Sequence, residues 1–255
     1  MKRRVALLIE YDGAGFFGWQ RQTIDISVQQ VLEEACAKLN DGNPVTCTAA
    51  GRTDSGVHAY GQVVSCDLPV THSTFTIRNA LNYHTKPHPV AVREVAEVDA
   101  DWNARFSAIG RAYRYVISTR QARLVLDHGR AWHVSRKLDV DAMHEAAQYL
   151  VGPHDFTSFR ASSCQAKSPI RTLDRLDVRQ VGDQIEIIAE ARSFLHHQVR
   201  NMVGTLKLVG DHKMKPARIA QIIAARSRSA AGPTAPADGL YFTRVVYDPD
   251  PFSLG

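Results

Sequence analysis

Residues 51 to 59 read GRTDSGVHA, a run that places one arginine and one aspartate two positions apart between glycines. The glycines permit backbone angles closed to other residues, and such a loop between two strands presents its side chains at the surface. Asp54 in this setting suits nucleophilic attack on carbon, provided that it stays ionised. Burial alone would raise its pKa, so a nearby guanidinium is the simplest means of holding the charge, and Arg52 is one candidate. The same pattern also fits an Asx turn, in which Asp54 caps its own loop and Arg52 is solvated. His58, four residues further on, fits an acid or base, and more readily a structural hydrogen bond.

Other residues carry weaker chemical signals. Phe16, Phe17 and Trp19 on a first glycine loop can stack on bases, although aromatic residues beside a sheet more often fill a core. Tyr113 and Tyr115 alternate onto one face of a strand, with Tyr115 read as packing or a secondary substrate contact. His196 and His197 are adjacent, so on a helix they diverge by roughly 100°, and no third ligand is near in sequence; no metal is expected. The cysteines at 36, 47, 66 and 164 lack the Cys-x-x-Cys spacing of a zinc site or redox pair and read as reduced structural thiols.

The elements that must position these residues follow from periodicity and punctuation. Residues 4 to 10 are β-rich and run into the loop from Tyr11 to Gln22. Ser27 and Gln30 form a capping box, after which Val28, Val31, Leu32, Ala35 and Leu39 recur at helical spacing until Asn40 and Gly42. A strand over about 45–50, the Asp54 loop, a second strand in GQVVSCDL, a helix capped by Ser73 and a strand in VAVREVAEV complete a β-α-β-β-α-β order. The order recurs: a strand from Arg111 to Ser118, a helix capped by Asp139 and ended by Gly152-Pro153, and strands near 171–179 and 184–191 joined by a hairpin. Helices near 195–210 and 215–227 and a strand from Leu240 to Tyr247 follow. The expected fold is therefore α+β: two ferredoxin-like halves, residues 1–105 and 106–255, with antiparallel sheets side by side and a basic central cleft.

Charge narrows the partner. The net charge is +5, and it is concentrated. Residues 101 to 136 hold seven arginines, Arg111 and Arg114 among them, against two aspartates; residues 200 to 228 hold seven basic residues against Asp211 alone. Such zones suit tracking of a phosphate backbone, or else long side chains that only solvate helix and strand faces. No stretch is apolar enough for a membrane helix, and the short apolar run after Met-Lys-Arg-Arg reads as a strand rather than a signal peptide, so no membrane and a cytoplasmic location are expected.

Five blocks in order, EYDGAGFFGWQRQ (10–22), GRTDSGVHA (51–59), ARFSAIGRAYRY (104–115), HDFTSFR (154–160) and FLHHQVRNMVG (194–204), closely resemble the bacterial tRNA pseudouridine synthase A family, and the resemblance runs on to DGLYFTRV near the end. It implies the pseudouridine synthase fold, a homodimer, no cofactor, and isomerisation of uridine at positions 38 to 40 of the tRNA anticodon stem-loop. It also implies roles: Asp54 as the catalytic aspartate, Arg52 as the residue that helps extrude the base and takes its place, Tyr113 as the stacking tyrosine, and Arg200 as the arginine paired with the aspartate. Ser55 stands where the family often has alanine, a small change. The segment NYHTKPHPV (82–90) departs from the family's Asn-rich, Pro-Gly turn.

The residue types suit that chemistry. Uracil must leave C1′, rotate and rejoin through C5, which calls for a nucleophile, a stacking surface and a proton acceptor, roles that Asp54 and Tyr113 can fill. An aspartate suits attack at C1′, attack at C6, or elimination at C2′. Two other classes stay in view: a non-catalytic RNA-binding module, against which the lack of an RNP1-type aromatic string counts, and a metal-dependent nuclease, against which the lack of clustered acids around Asp54 counts.

Overall fold

The computed structural model describes residues 2–253, and the chain divides into two compact units, Met1–Gly110 with Phe242–Gly255, and Arg111–Tyr241. The first unit begins with β1 (Lys2–Tyr11), α1 (Val28–Lys38), β2 (Thr48–Ala49), β3 (His58–Pro69), α2 (Thr74–His84) and β4 (Val90–Glu97). The strands lie in the order β4-β1-β3, with β2 on β3, and every pairing is antiparallel. That is the succession a β-α-β-β-α-β unit gives when both helices cover one face.

The helices start where capping chemistry dictates. Ser27 Oγ accepts from Gln30 N at 3.2 Å and Ser73 Oγ from Thr76 N at 3.1 Å. Alternation along β1 buries Val5, Leu7 and Ile9, which join Val28, Leu32, Ile77 and Leu81 of the helices in the core. Arg4 and Asp67, directly opposed across β1 and β3, pair through two hydrogen bonds of 2.9 and 3.0 Å. Asn82 ties α2 to β4 by donating to the carbonyl of Val92 and accepting from its N–H, both at 2.8 Å.

The second unit carries β5 (Gly110–Ser118, from its second residue), β6 (Trp132–His133), α3 (Val140–Gln148), β7 (Gly152–Asp155), β8 (Ile170–Val181), β9 (Gln184–Ala191), α4 (Gln198–Gly210) and α5 (Arg218–Ala225). Its sheet runs β5-β9-β8-β7 with β6 parallel to β5 and the other pairings antiparallel. Thus β5, β9 and β8 repeat the succession of β1, β3 and β2. The hairpin between β8 and β9 turns through Gly182 and Asp183, as the sequence predicts. Met143, Ala146, Leu173, Ile185, Ile187, Met202, Val203 and Leu206 form the core here. The last strand, β10 (Leu240–Val246), lies beside β3, and its residues from Phe242 onward belong to the first unit.

Several expected boundaries shift. The strand expected over 45–50 is only Thr48–Ala49. The helix expected from 195 starts at Gln198, because His197 takes a left-handed φ of 63°, which a helix cannot include. The helix expected over 215–227 spans Arg218–Ala225. Gly152-Pro153 does more than end a helix: α3 stops at Gln148, and Gly152, at φ 98°, opens β7. Among the described residues no helix is long and apolar enough to cross a membrane.

Candidate active site

In the first unit, Asp54 sits on the loop between β2 and β3, half-buried, with Arg52 exposed beside it. The loop is a tight turn: Val57 N–H donates to the Asp54 carbonyl at 3.1 Å. The first glycine loop braces it. Trp19 N–H donates to the Thr53 carbonyl at 3.0 Å and Gly56 N–H to the Phe16 carbonyl at 3.3 Å, while Ser55 Oγ donates to the same Phe16 carbonyl at 3.1 Å. Serine at position 55 therefore adds a bond that alanine cannot make.

Glycine is required where the two loops touch. A Cβ on Gly18, whose φ is 81°, would stand 2.6 Å from the Thr53 carbonyl oxygen, and one on Gly13 would stand 2.1 Å from that of Val57. Below the loop, Tyr11 Oη and Thr53 Oγ1 share a buried hydrogen bond of 2.8 Å, and burial pushes the Tyr11 hydroxyl up to about 12, so it stays protonated at neutral pH. His58 Nδ1 accepts from Gly13 N–H at 3.0 Å and lies 3.1 Å from Asp12. That makes His58 a structural link between the loops. Phe16 and Trp19 are buried at 4% and 2% exposure, whereas Phe17 is 52% exposed.

In the second unit, alternation along β5 turns Arg111, Tyr113 and Tyr115 to one face. The half-buried Tyr113 ring meets Phe194 edge-on with centroids 5.1 Å apart, and Arg111 Nη1 donates to the Arg192 carbonyl at 2.6 Å. Tyr115 is fully buried and donates to the Pro236 carbonyl at 2.8 Å; burial raises its hydroxyl far above the ordinary tyrosine range. Arg200 Nε donates to the neighbouring Ala235 carbonyl at 2.8 Å, and Ala235 N–H donates to the Arg200 carbonyl at 3.1 Å. Tyr115 and Arg200 thus grip the same short segment.

Arg114 faces the other way. Its guanidinium meets Glu186 at 3.2 Å and lies 5.1 Å from the centre of the Tyr241 ring, above a small apolar cluster of Val116, Leu124, Ala131 and Tyr241.

The HDFTSFR block fixes the start of α4. Asp155 Oδ1 caps Thr157 N–H at 2.9 Å; Ser158 Oγ donates to the Ile222 carbonyl at 2.6 Å and accepts from Ser227 N–H at 2.9 Å. Buried Asn201, next to Arg200, donates to the Phe159 carbonyl at 2.8 Å and accepts from Arg228 at 3.0 Å and Thr234 at 2.6 Å. Sequence reasoning missed Asn201 and Phe194, although both stand inside the FLHHQVRNMVG block. The adjacent histidines precede α4 in a turn rather than sharing a helix, with ring centroids 4.1 Å apart.

The basic zones are partly structural. At the C-terminus of α4, where a negative charge opposes the helix dipole, Asp211 accepts two hydrogen bonds from Arg136 at 2.8 and 2.9 Å and one from Lys207 at 2.6 Å. Burial opposes its ionisation, yet the Lys207 and Arg136 bonds hold its carboxyl below the usual range. Lys213, Lys215 and Arg218 are exposed.

A family model described as tRNA pseudouridine synthase matches residues 7–107 and 146–248, ranges that contain Asp54 and Arg200 and flank Tyr113. The tRNA pseudouridine synthase A of Acidiphilium cryptum (strain JF-5) is 61% identical over 251 residues, covering 98% of each chain. That of Paramagnetospirillum magneticum (strain ATCC 700264 / AMB-1) is 60% identical over 96% of this chain and 95% of its own, and that of Rhodospirillum centenum (strain ATCC 51521 / SW) 57% over 96% and 100%. On these matches the chain belongs to the tRNA pseudouridine synthase family, a family of isomerases.

Proposed function

We propose that the chain converts uridine to pseudouridine at positions 38, 39 and 40 of the tRNA anticodon stem-loop, with Asp54 as nucleophile. The observation that carries this reading is the half-buried Asp54 on a turn braced by a second loop through backbone contacts. A carboxylate held that firmly meets a carbon centre with little reorganisation.

The reaction breaks the N1–C1′ bond, forms a C5–C1′ bond, removes the proton from C5 and leaves one on N1. Substrate and product are isomers, so neither a redox partner nor a group donor enters the balance. Flipping the target base out of the stem-loop costs roughly a few kcal/mol. Arg52, exposed on the Asp54 loop, offsets this by filling the space the base leaves. Tyr113, its ring set by Phe194, stacks on the uracil. Arg200, anchored on the Ala235 carbonyl, pairs with the aspartate. Arg111, on the Tyr113 face, tracks phosphate. Arg114, on the opposite face with Glu186 and Tyr241, supports the sheet instead.

The half spanning 1–105 supplies the aspartate loop, and 106–255 supplies the stacking tyrosine and the pairing arginine. The protein acts as a cytoplasmic homodimer and requires no metal. Incubation with an unmodified tRNA transcript carrying C5-tritiated uridine, without added metal, tests the proposal. Tritium released from intact RNA supports it; cleaved RNA indicates a nuclease, and tight binding without release a non-catalytic module.

A further inference from the structure

The cysteines that look scattered in sequence are not scattered in space. Cys36 on α1, Cys47 just before β2 and Cys66 on β3 bring their sulfurs within 4.8 Å of one another. All are free thiols, with exposures of 0%, 3% and 3%. Glu33 holds the geometry from outside: its Oε1 accepts from Cys47 N–H at 3.1 Å and from Gln29 Nε2 at 2.9 Å. The isomerisation proposed above calls on none of the three.

We propose that Cys36, Cys47 and Cys66 form an all-sulfur, three-coordinate site for a trivalent thiophilic ion of the arsenous acid class. Three sulfurs bonded at about 2.3 Å to one pyramidal centre, with bond angles of about 95°, stand about 3.4 Å apart, so side-chain adjustments of about 1 Å close the site. Among the described residues the group contains no fourth His, Cys, Asp or Glu donor, which disfavours the tetrahedral shell of zinc. Charge decides between the remaining soft ions. Three thiolates around a monovalent or divalent ion leave a net negative charge in a buried pocket, whereas a trivalent ion leaves none. In the binding step three S–H bonds break and three S–As bonds form; the three hydroxyls of arsenous acid leave as water with those protons, and no electrons are transferred.

One feature assists entry. The chain before Cys47 is irregular and exposed at Asp41, Gly42, Asn43 and Pro44, a segment that opens locally at low cost.

The test uses the reduced full-length protein and sodium arsenite, followed by gel filtration and native mass spectrometry. The expected result is one arsenic gained and three hydrogens lost per chain. Cys164→Ser keeps this product, and each of Cys36→Ala, Cys47→Ala and Cys66→Ala loses it. In the wild type, which avoids any folding defect of the variants, arsenite should slow alkylation of the peptides bearing Cys36, Cys47 and Cys66 and leave Cys164 reacting as before. An unchanged mass, dependence on Cys164, uniform protection, or equal retention of zinc overturns the proposal, because the cluster then serves packing alone or a different ion. Tritium release is read separately, so a failed arsenite test leaves the isomerase proposal standing on its own evidence.

Discussion

Replacing Gly18 by alanine should cripple turnover from a loop that does not itself carry Asp54. The added Cβ would stand 2.6 Å from the Thr53 oxygen and 3.1 Å from the Asp54 carbonyl carbon and Ser55 nitrogen. The first contact is about 0.8 Å short of ordinary van der Waals separation, and its partner is backbone that cannot rotate away. A side chain at φ 81° adds about 1–2 kcal/mol of strain, and the overpacking about 1–3 more. The total of about 2–5 kcal/mol can be relieved only by pushing the loops apart, which moves Asp54 by several tenths of an ångström. Displacements of that size cost about 10- to 100-fold in rate. Gly15→Ala is the control, since Gly15 has φ 93° but nothing within 4 Å of its Cβ, so it adds strain without contact. Single-turnover tritium release and thermal melts should show both variants destabilised but only Gly18→Ala strongly slowed. If the two variants turned over equally, the bracing of the Asp54 loop would have no catalytic weight.

Tyr113→Phe keeps the ring against Phe194, so tRNA affinity should hold while tritium release falls by about 100-fold or more if the hydroxyl moves a proton; a wild-type rate would leave the tyrosine a stacking platform only. Arg111→Ala should weaken tRNA binding and flatten its log–log salt dependence by about one unit, whereas Arg114→Ala should leave the slope unchanged and lower the melting temperature, because it breaks the Glu186 contact. Equal slopes for the two would contradict the division of faces along β5. Asp211→Asn should cost about 2–3 kcal/mol at neutral pH by leaving Lys207 and Arg136 without their shared anion. Because the folded-state pKa of Asp211 is depressed, its contribution is complete above the ordinary carboxylate value of about 4 and fades as pH falls below it. The stability gap between wild type and Asp211→Asn should therefore narrow in acid, and a gap independent of pH would show that charge is not the cause.

Much of the fold was legible because local chemistry and tertiary structure agree. Ser27, Ser73 and Asp139 each cap the helix their spacing predicts, and the β-α-β-β-α-β order of the first unit emerges in the sheet. What failed depended on backbone or partners that a one-dimensional pattern does not carry. The left-handed His197 cuts three residues from α4 because apolar periodicity continues through a turn. β7 escaped notice because Gly152-Pro153 signals a break and says nothing of the β8 edge it then joins.

The site divides in the same way. Asp54, Tyr113 and Arg200 were reached through motif blocks, but the bracing by Gly13 and Gly18 exists only as contact between distant loops. The face carrying Arg114 was readable by alternation from Tyr113, yet counting the arginines of the zone together concealed it. Cys36, Cys47 and Cys66 lie on a helix, a connecting segment and a strand, so their spacing held no hint that their sulfurs meet.

Asp54→Asn offers the sharpest trial of the proposed chemistry. The amide matches the carboxylate in size and leaves the turn bond from Val57 N–H to the Asp54 backbone carbonyl in place, but it removes the nucleophile. Single-turnover tritium release from a C5-labelled transcript should fall to background while the tRNA Kd stays within a few-fold of wild type. A variant that still released tritium at a substantial fraction of the wild-type rate would show that another group attacks the nucleoside.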